Sequence, residues 1–136
     1  MLRNDTIQAG LIAELKSISA VTSLVTGSFG VEIRENQYEG TQFLYPNIRL
    51  DIINQVPSIE GCAYGVIDFI VRVYSEDASS QECDNIAGLV FQNLKRSFTR
   101  NGIFFSGVYC TSLGSAHRIN LQTWEANVQY KGMAEG

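Results

Sequence analysis

The chain is poor in the residues that build most reactive sites. It has one histidine, His117, and three cysteines, Cys62, Cys83 and Cys110, none of them in a CxxC pair. A tetrahedral zinc site would need a carboxylate to complete it. An odd number of widely spaced thiols is no disulfide framework; three free thiols, packed as small apolar side chains in a reducing compartment, fit better. No apolar run approaches the roughly 18 residues of a membrane span. The stretch "MLRNDTIQAGLIAELKS" lacks the pattern of a signal peptide, so the expectation is cytosolic synthesis. Internal repeats, low-complexity segments and charge blocks are missing as well. So is a basic excess: the net charge is −4 and the pI about 4.9. That argues against free-standing nucleic-acid binding, which shows a basic face, though not against a protein that DNA merely passes.

What is present is ordinary globular composition. The 136 residues are 45% hydrophobic and 18% charged, which fits one domain, 1–136, with its own core. A first helix is signalled by Asn4 or Asp5 as N-cap, with Gln8 three residues after Asp5. Its apolar stripe reads Ile7, Leu11, Leu15 and Ile18. "AVTSLVTG" follows as a short turn or helix. Residues 31–35 form a candidate strand, and "ENQYEGTQFLYP" a loop.

Three later stretches alternate with the period of a strand. Ile48, Leu50 and Ile52 share one face, with Asn47, Arg49 and Asp51 on the other. Ile67, Phe69, Val71 and Val73 share a face of the next strand, and "NQVPSIEGCAYG" connects the two as an extended hairpin. Near the end, Trp124, Ala126, Val128 and Tyr130 point inward while Thr123, Glu125, Asn127 and Gln129 point outward. "GIFFSGVYCTSLGSAHRI" reads as a further strand, with Gly107 as a bulge or bend.

The segment "YSEDASSQECDNIAGLVFQNLKRSF", 74–98, looks most like chemistry. It gathers Glu76, Asp77, Glu82, Asp84 and Cys83. The spacing favours a helix start. Ser79 with Glu82 has the form of a capping box, Ser80 is the neighbouring candidate, and acids in the first turn suit the helix N-terminus. Cys83, Ile86, Ala87, Val90, Phe91, Leu94 and Phe98 continue as an apolar stripe. Lys95, Arg96 and Arg100 crowd the end, and Asn101–Gly102 supplies the stop. A calcium loop would want an internal glycine that "SEDASSQE" lacks.

Other constellations are weaker. Cys110 and His117 are seven apart on or near a strand and face opposite ways. "GSFG" has no GK[ST], no GxGxxG and no following helix. Arg34, Arg49 and Arg72 read as scattered over strands facing different ways, as solvated or contact residues rather than an anion clamp. The residues thus give no catalytic, cofactor-binding or metal site, and the expectation is a protein that is not an enzyme and needs no cofactor. Aromatic and apolar residues in two polar stretches are the candidate contacts with partners: Tyr38, Phe43 and Tyr45 in 36–45, and Val56, Ile59 and Tyr64 in 54–64.

Together these features predict an α+β fold: a mostly antiparallel sheet of four to five strands packed against two helices, in the order α-β-β-β-α-β-β. That order, with "AVTSLVTGSFGVEIRE", "YPNIRLDI", "GVIDFIVRVYSEDASSQECDNIAGLVFQNL" and "HRINLQTWEANVQYKG", resembles the small tail-terminator or tail-completion proteins of long-tailed bacteriophages over nearly the whole chain. The resemblance implies a virion protein assembled in the host cytoplasm. It would form a ring, usually a hexamer of itself, that caps the tail tube at its final length. Its partners would be the tail tube protein and the head-side connector or stopper protein. Genomic DNA would pass through the channel without specific binding, which suits a slightly acidic chain. Other readings are a head-completion or stopper protein of the same particle, a non-catalytic α+β adaptor, and a small enzyme.

Overall fold

The structure is a computed structural model describing residues 3–28, 30–36, 44–57 and 64–136. Helix α1 spans Asn4–Lys16. Its stripe is buried as the spacing requires, with Ile7, Leu11, Leu15 and the following Ile18 in the core. Neither Asn4 nor Asp5 caps it. Arg3 occupies the N-cap without a side-chain hydrogen bond, and Asp5 instead pairs with Arg3 at 2.7 Å. A four-residue helix α2, Ser19–Thr22, leads into a small hairpin of β1, Thr26–Gly27, and β2, Gly30–Val31.

The single strand expected over 31–35 is broken. Glu32 is buried and makes no strand pair, and β3 begins afresh at Ile33–Glu35. Strand β3 lies parallel to β4, Asn47–Pro57, and β4 pairs antiparallel with β5, Tyr64–Ser75. The hairpin is longer than its alternation suggested. Residues 54–57, read as connection, pair with 65–68 beyond a bulge at Ile53.

Helix α3 runs from Gln81 to Asn93 and stops four residues short of Phe98. Phe98 begins β6, Phe98–Arg100, and Asn101 and Gly102, both at positive φ (55° and 76°), turn the chain into β7, Ile103–Leu113. An Asn-Gly pair with both residues left-handed is the signature of a tight hairpin, so the expected helix stop is a strand-to-strand turn. Strand β8, His117–Arg118, pairs with the start of β9, Trp124–Glu135.

Among the described residues the main sheet has seven strands, in the order β3-β4-β5-β9-β7-β6 with β8 beside β9. It is antiparallel except at β3–β4. The expected α+β class holds, but the described residues form three helices rather than two and more strands than the alternation suggested. Gly107 sits at φ 58° where the β7–β9 register shifts, as a bulge should.

One face of the sheet carries the core. Ile48, Leu50, Ile67, Phe69, Val71, Val73, Ala126 and Val128 are all at most 1% exposed. Phe69 stacks on Tyr130 across the β5–β9 pair at 5.2 Å. Both long helices cover this face. Helix α3 lies on β5 and β9, while α1 touches β3, β4 and β6. Because β3 and β6 end the sheet on opposite sides, a helix that reaches both requires the sheet to curl around it. Gln8 of α1 donates to the Leu50 carbonyl of β4, and Glu14 of α1 holds Arg100 of β6 at 3.0 Å.

Candidate functional site

The acidic stretch does start a helix, but not through the capping box its spacing suggested. Ser80 is the N-cap in helical geometry with no side-chain cap bond, and the Ser79 hydroxyl accepts only a long 3.4 Å contact from the Gln81 N–H. The carboxylates are used elsewhere. Buried Ser75 donates to Glu82 Oε1 at 2.6 Å, and its hydroxyl accepts the Asp77 N–H at 3.2 Å. Asp84 Oδ1 accepts the Ala116 N–H at 2.7 Å, and the Asp77 carbonyl accepts the Trp124 indole N–H at 3.3 Å. The stretch is a junction that ties β5, α3, β9 and the loop before β8. Ser75→Ala is therefore expected to lower stability by about 1–3 kcal/mol, because a buried pair of hydrogen bonds is lost. Ser79→Ala should change it by less than about 0.5 kcal/mol. Chemical denaturation of both variants compares them directly.

Cys83 is core. It is fully buried, and its thiol donates to the Val73 carbonyl at 3.2 Å. Burial, reinforced by the Asp84 charge, raises its pKa from 9 to about 12. Tyr74 is raised from 10 to about 12 by burial and then by Glu125, and burial also pushes Tyr130 up. All three are neutral in the fold, while their unfolded forms ionise near pH 9–10. A raised folded pKa gives stability that is complete below the unfolded pKa and is lost as pH rises towards the folded one. Stability should hold to about pH 9 and fall steadily between pH 9 and 12. Urea midpoints taken across that range, with peptide mapping of alkylated Cys83 at pH 8, give the check: no native-state labelling at Cys83 and a falling midpoint.

The three arginines are not scattered. Arg34, Arg49 and Arg72 are direct cross-strand neighbours on β3, β4 and β5, and Asn127 on β9 continues the row. They lie on the face opposite the helices. Arg49 is only 2% exposed and Asn47 is fully buried, so the polar side of β4 is not solvated at its start. Carboxylates bracket the row, with Glu32 3.5 Å from Arg34 and Asp51 3.6 Å from Arg72. The arrangement is a mixed-charge ladder rather than an open cationic surface. A symmetric hairpin centred on residues 60–61 would have paired Arg49 with Arg72 from sequence alone.

Of the six candidate contact residues, Tyr38, Phe43 and Ile59 lie outside the described residues. The other three do not form one surface. Tyr45, joined to Pro46 by a cis peptide, lines a hollow of about 420 Å³ with Glu76, Asp77 and Glu82 at one end of the sheet. Val56, 55% exposed, and Tyr64, whose hydroxyl donates to Met133 Sδ, lie at the other end. Strand β4 separates the two ends by about 30 Å at 3.3 Å per residue.

Sequence reasoning missed other exposed apolar side chains. Tyr109 and Leu113 on β7, Ile53 at the bulge, and Leu121 in the turn before β9 are all well exposed. Gaps in the alternation at Ile53 and Gly107 were the available signal. His117 is exposed and sits 3.9 Å from Glu125. Among the described residues no three His, Cys, Asp or Glu side chains are placed to hold a metal ion, and no helix is long and apolar enough to cross a membrane.

The described residues define an α+β protein with a curled sheet, two edges incompletely paired among those residues, and shallow hollows. No protein-family model and no curated protein matches the chain. Among solved structures, a chain from the virion of a native gene transfer agent particle shares the fold. The TM-score is 0.67 at 17% sequence identity, covering 96% of this chain and 95% of that one.

Proposed function

We propose that this chain is a structural protein of a phage-like virion, acting as a tail terminator. In this reading it forms a ring at the head-proximal end of the tail tube, ends tail polymerisation, and joins the tail to the head-side connector. The observation that carries it is the likeness to a virion chain over 96% of this chain and 95% of that one. The broad order of helix, strands, helix and strands supports the same reading, and the paired, bracketed arginines suit a protein past which DNA slides. The work proposed is assembly, with no reaction and no cofactor. A head-completion or stopper role in the same particle is the alternative that the fold likeness equally allows.

Light scattering and negative-stain imaging of the purified protein, with and without isolated tail tubes, test the proposal. The expected result is a closed ring, six subunits being the expected number, that binds one end of a tube and blocks further tube growth. A ring that binds the connector and leaves tube length unregulated would favour the stopper role. A monomer that binds neither would overturn both.

A further inference from the structure

We infer that copies of this chain join edge to edge, the outer edge of β4 in one subunit against the outer edge of β7 in the next. The inference rests on the ring reading above and names the contact that would build the ring. Strand β3 pairs only with Ile48–Leu50 of β4, and β6 only with Ile103–Phe105 of β7. Beyond these pairs, residues 51–57 of β4 and 109–113 of β7 have no outer strand among the described residues. Unpaired edge amides and carbonyls are a template for another strand.

Among the described residues both edges are apolar where a lone subunit would leave them wet. Ile53 and Val56 on β4 are 53% and 55% exposed, and Tyr109 and Leu113 on β7 are 49% and 47% exposed. Four of the nine large apolar side chains exposed among the described residues thus fall on these two short edges. The bulges at Ile53 and Gly107 bend both edges, which confines pairing to a short stretch and limits indiscriminate stacking.

Direction selects the partner. A β4 edge paired with another β4 would close on itself as a dimer, whereas a ring needs two different edges. Three antiparallel steps separate β4 from β7 in the sheet, so the two strands run in opposite senses. A copy rotated about an axis along the strands therefore brings β7 antiparallel to the next β4. Such a head-to-tail contact closes into a ring when the rotation allows.

The test uses one blocked edge at a time. Ile53→Lys disables the β4 edge and Tyr109→Lys the β7 edge; both side chains are about half exposed, and a thermal melt verifies that each variant folds. Should either fail to fold, Val56→Lys and Leu113→Lys repeat the test on the same edges. Each variant alone should stay at the mass of one subunit at concentrations where the unsubstituted protein assembles. Mixed one to one, they should give a species of two subunits and nothing larger, because one good edge of each remains. Variants that assemble like the unsubstituted protein would overturn the edge contact while leaving the ring reading intact. Variants that dimerise singly would overturn it in favour of a self-paired edge. If the unsubstituted protein never assembles, with or without tail tubes, the ring reading falls and this contact with it.

Discussion

Phe105→Ala is expected to lower unfolding stability by about 3–5 kcal/mol, enough to leave a marginal domain partly unfolded. Phe105 is fully buried on β7 and stacks on Phe98 of β6 at 4.9 Å. Its ring also lies against Gly10 of α1, where an added Cβ would sit 3.1 Å from the ring edge. One side chain thus fastens the first helix to the far edge of the sheet, and truncating it opens a cavity at the point where the sheet curls. Its neighbour Phe104 points the other way and is 45% exposed, so Phe104→Ala should shift stability by well under 1 kcal/mol. Urea denaturation of the two variants reads the contrast. Equal losses would mean that Phe105 is not the closing contact.

The second large effect is electrostatic. Glu14 of α1 is 1% exposed and pairs with Arg100 Nε at 3.0 Å, and its Oε2 has no hydrogen-bond partner among the described residues. Removing the arginine leaves a buried carboxylate without its cation. A fully buried pair loses about 3–5 kcal/mol in that situation. Arg100 is 39% exposed, so solvent screening brings the expected loss for Arg100→Met to about 2–3 kcal/mol. The double variant Glu14→Leu with Arg100→Met should regain most of it, since an apolar pair of similar volume needs no charge compensation. A double variant as unstable as Arg100→Met alone would show that the arginine acts through packing rather than charge.

These two residues mark where the sequence could and could not be read. Period-2 alternation found β4, β5 and β9, and helical spacing found the buried stripe of α1, because each of those elements buries one face against a common core. Phe98 and Arg100 were misread for a physical reason. The apolar positions of α3 and β6 run on at helical spacing through Leu94, yet Leu94 is extended (φ −70°, ψ 122°) and the helix has already ended at Asn93. The Asn101–Gly102 pair fits a helix stop and a hairpin turn equally in sequence; only the pairing of β6 with β7 decides.

The acidic stretch was placed correctly at a helix start, but its hydrogen bonds go to residues that only the fold brings near, such as Ala116. Arg49 misled because alternation assigns polar residues to water, and here the second face of β4 is buried at Asn47 and Arg49. Of the candidate contact surface, Tyr45, Val56 and Tyr64 were legible as apolar residues in polar surroundings. Their division between opposite ends of the sheet was not, since it depends on the hairpin continuing beyond the alternating stretch.

The order of strands also sets a schedule for synthesis. Strands β4 and β5 are neighbours in the chain and can zip together as soon as both are made. The other side of β5 pairs with β9 over its full length, from Tyr64 opposite Glu135 to Ser75 opposite Trp124. Those partners are translated only after α3, β6, β7 and β8. While the ribosome makes α3, β6 and β7, the backbone of "VIDFIVRV" waits with one side open, and that stretch holds the most apolar strand in the molecule. Parallel growth of many chains would let waiting strands find one another before β9 arrives. Yield of folded protein should therefore depend on how slowly and how dilutely the chain is made, even though the finished subunit has that strand sealed at the centre of its sheet.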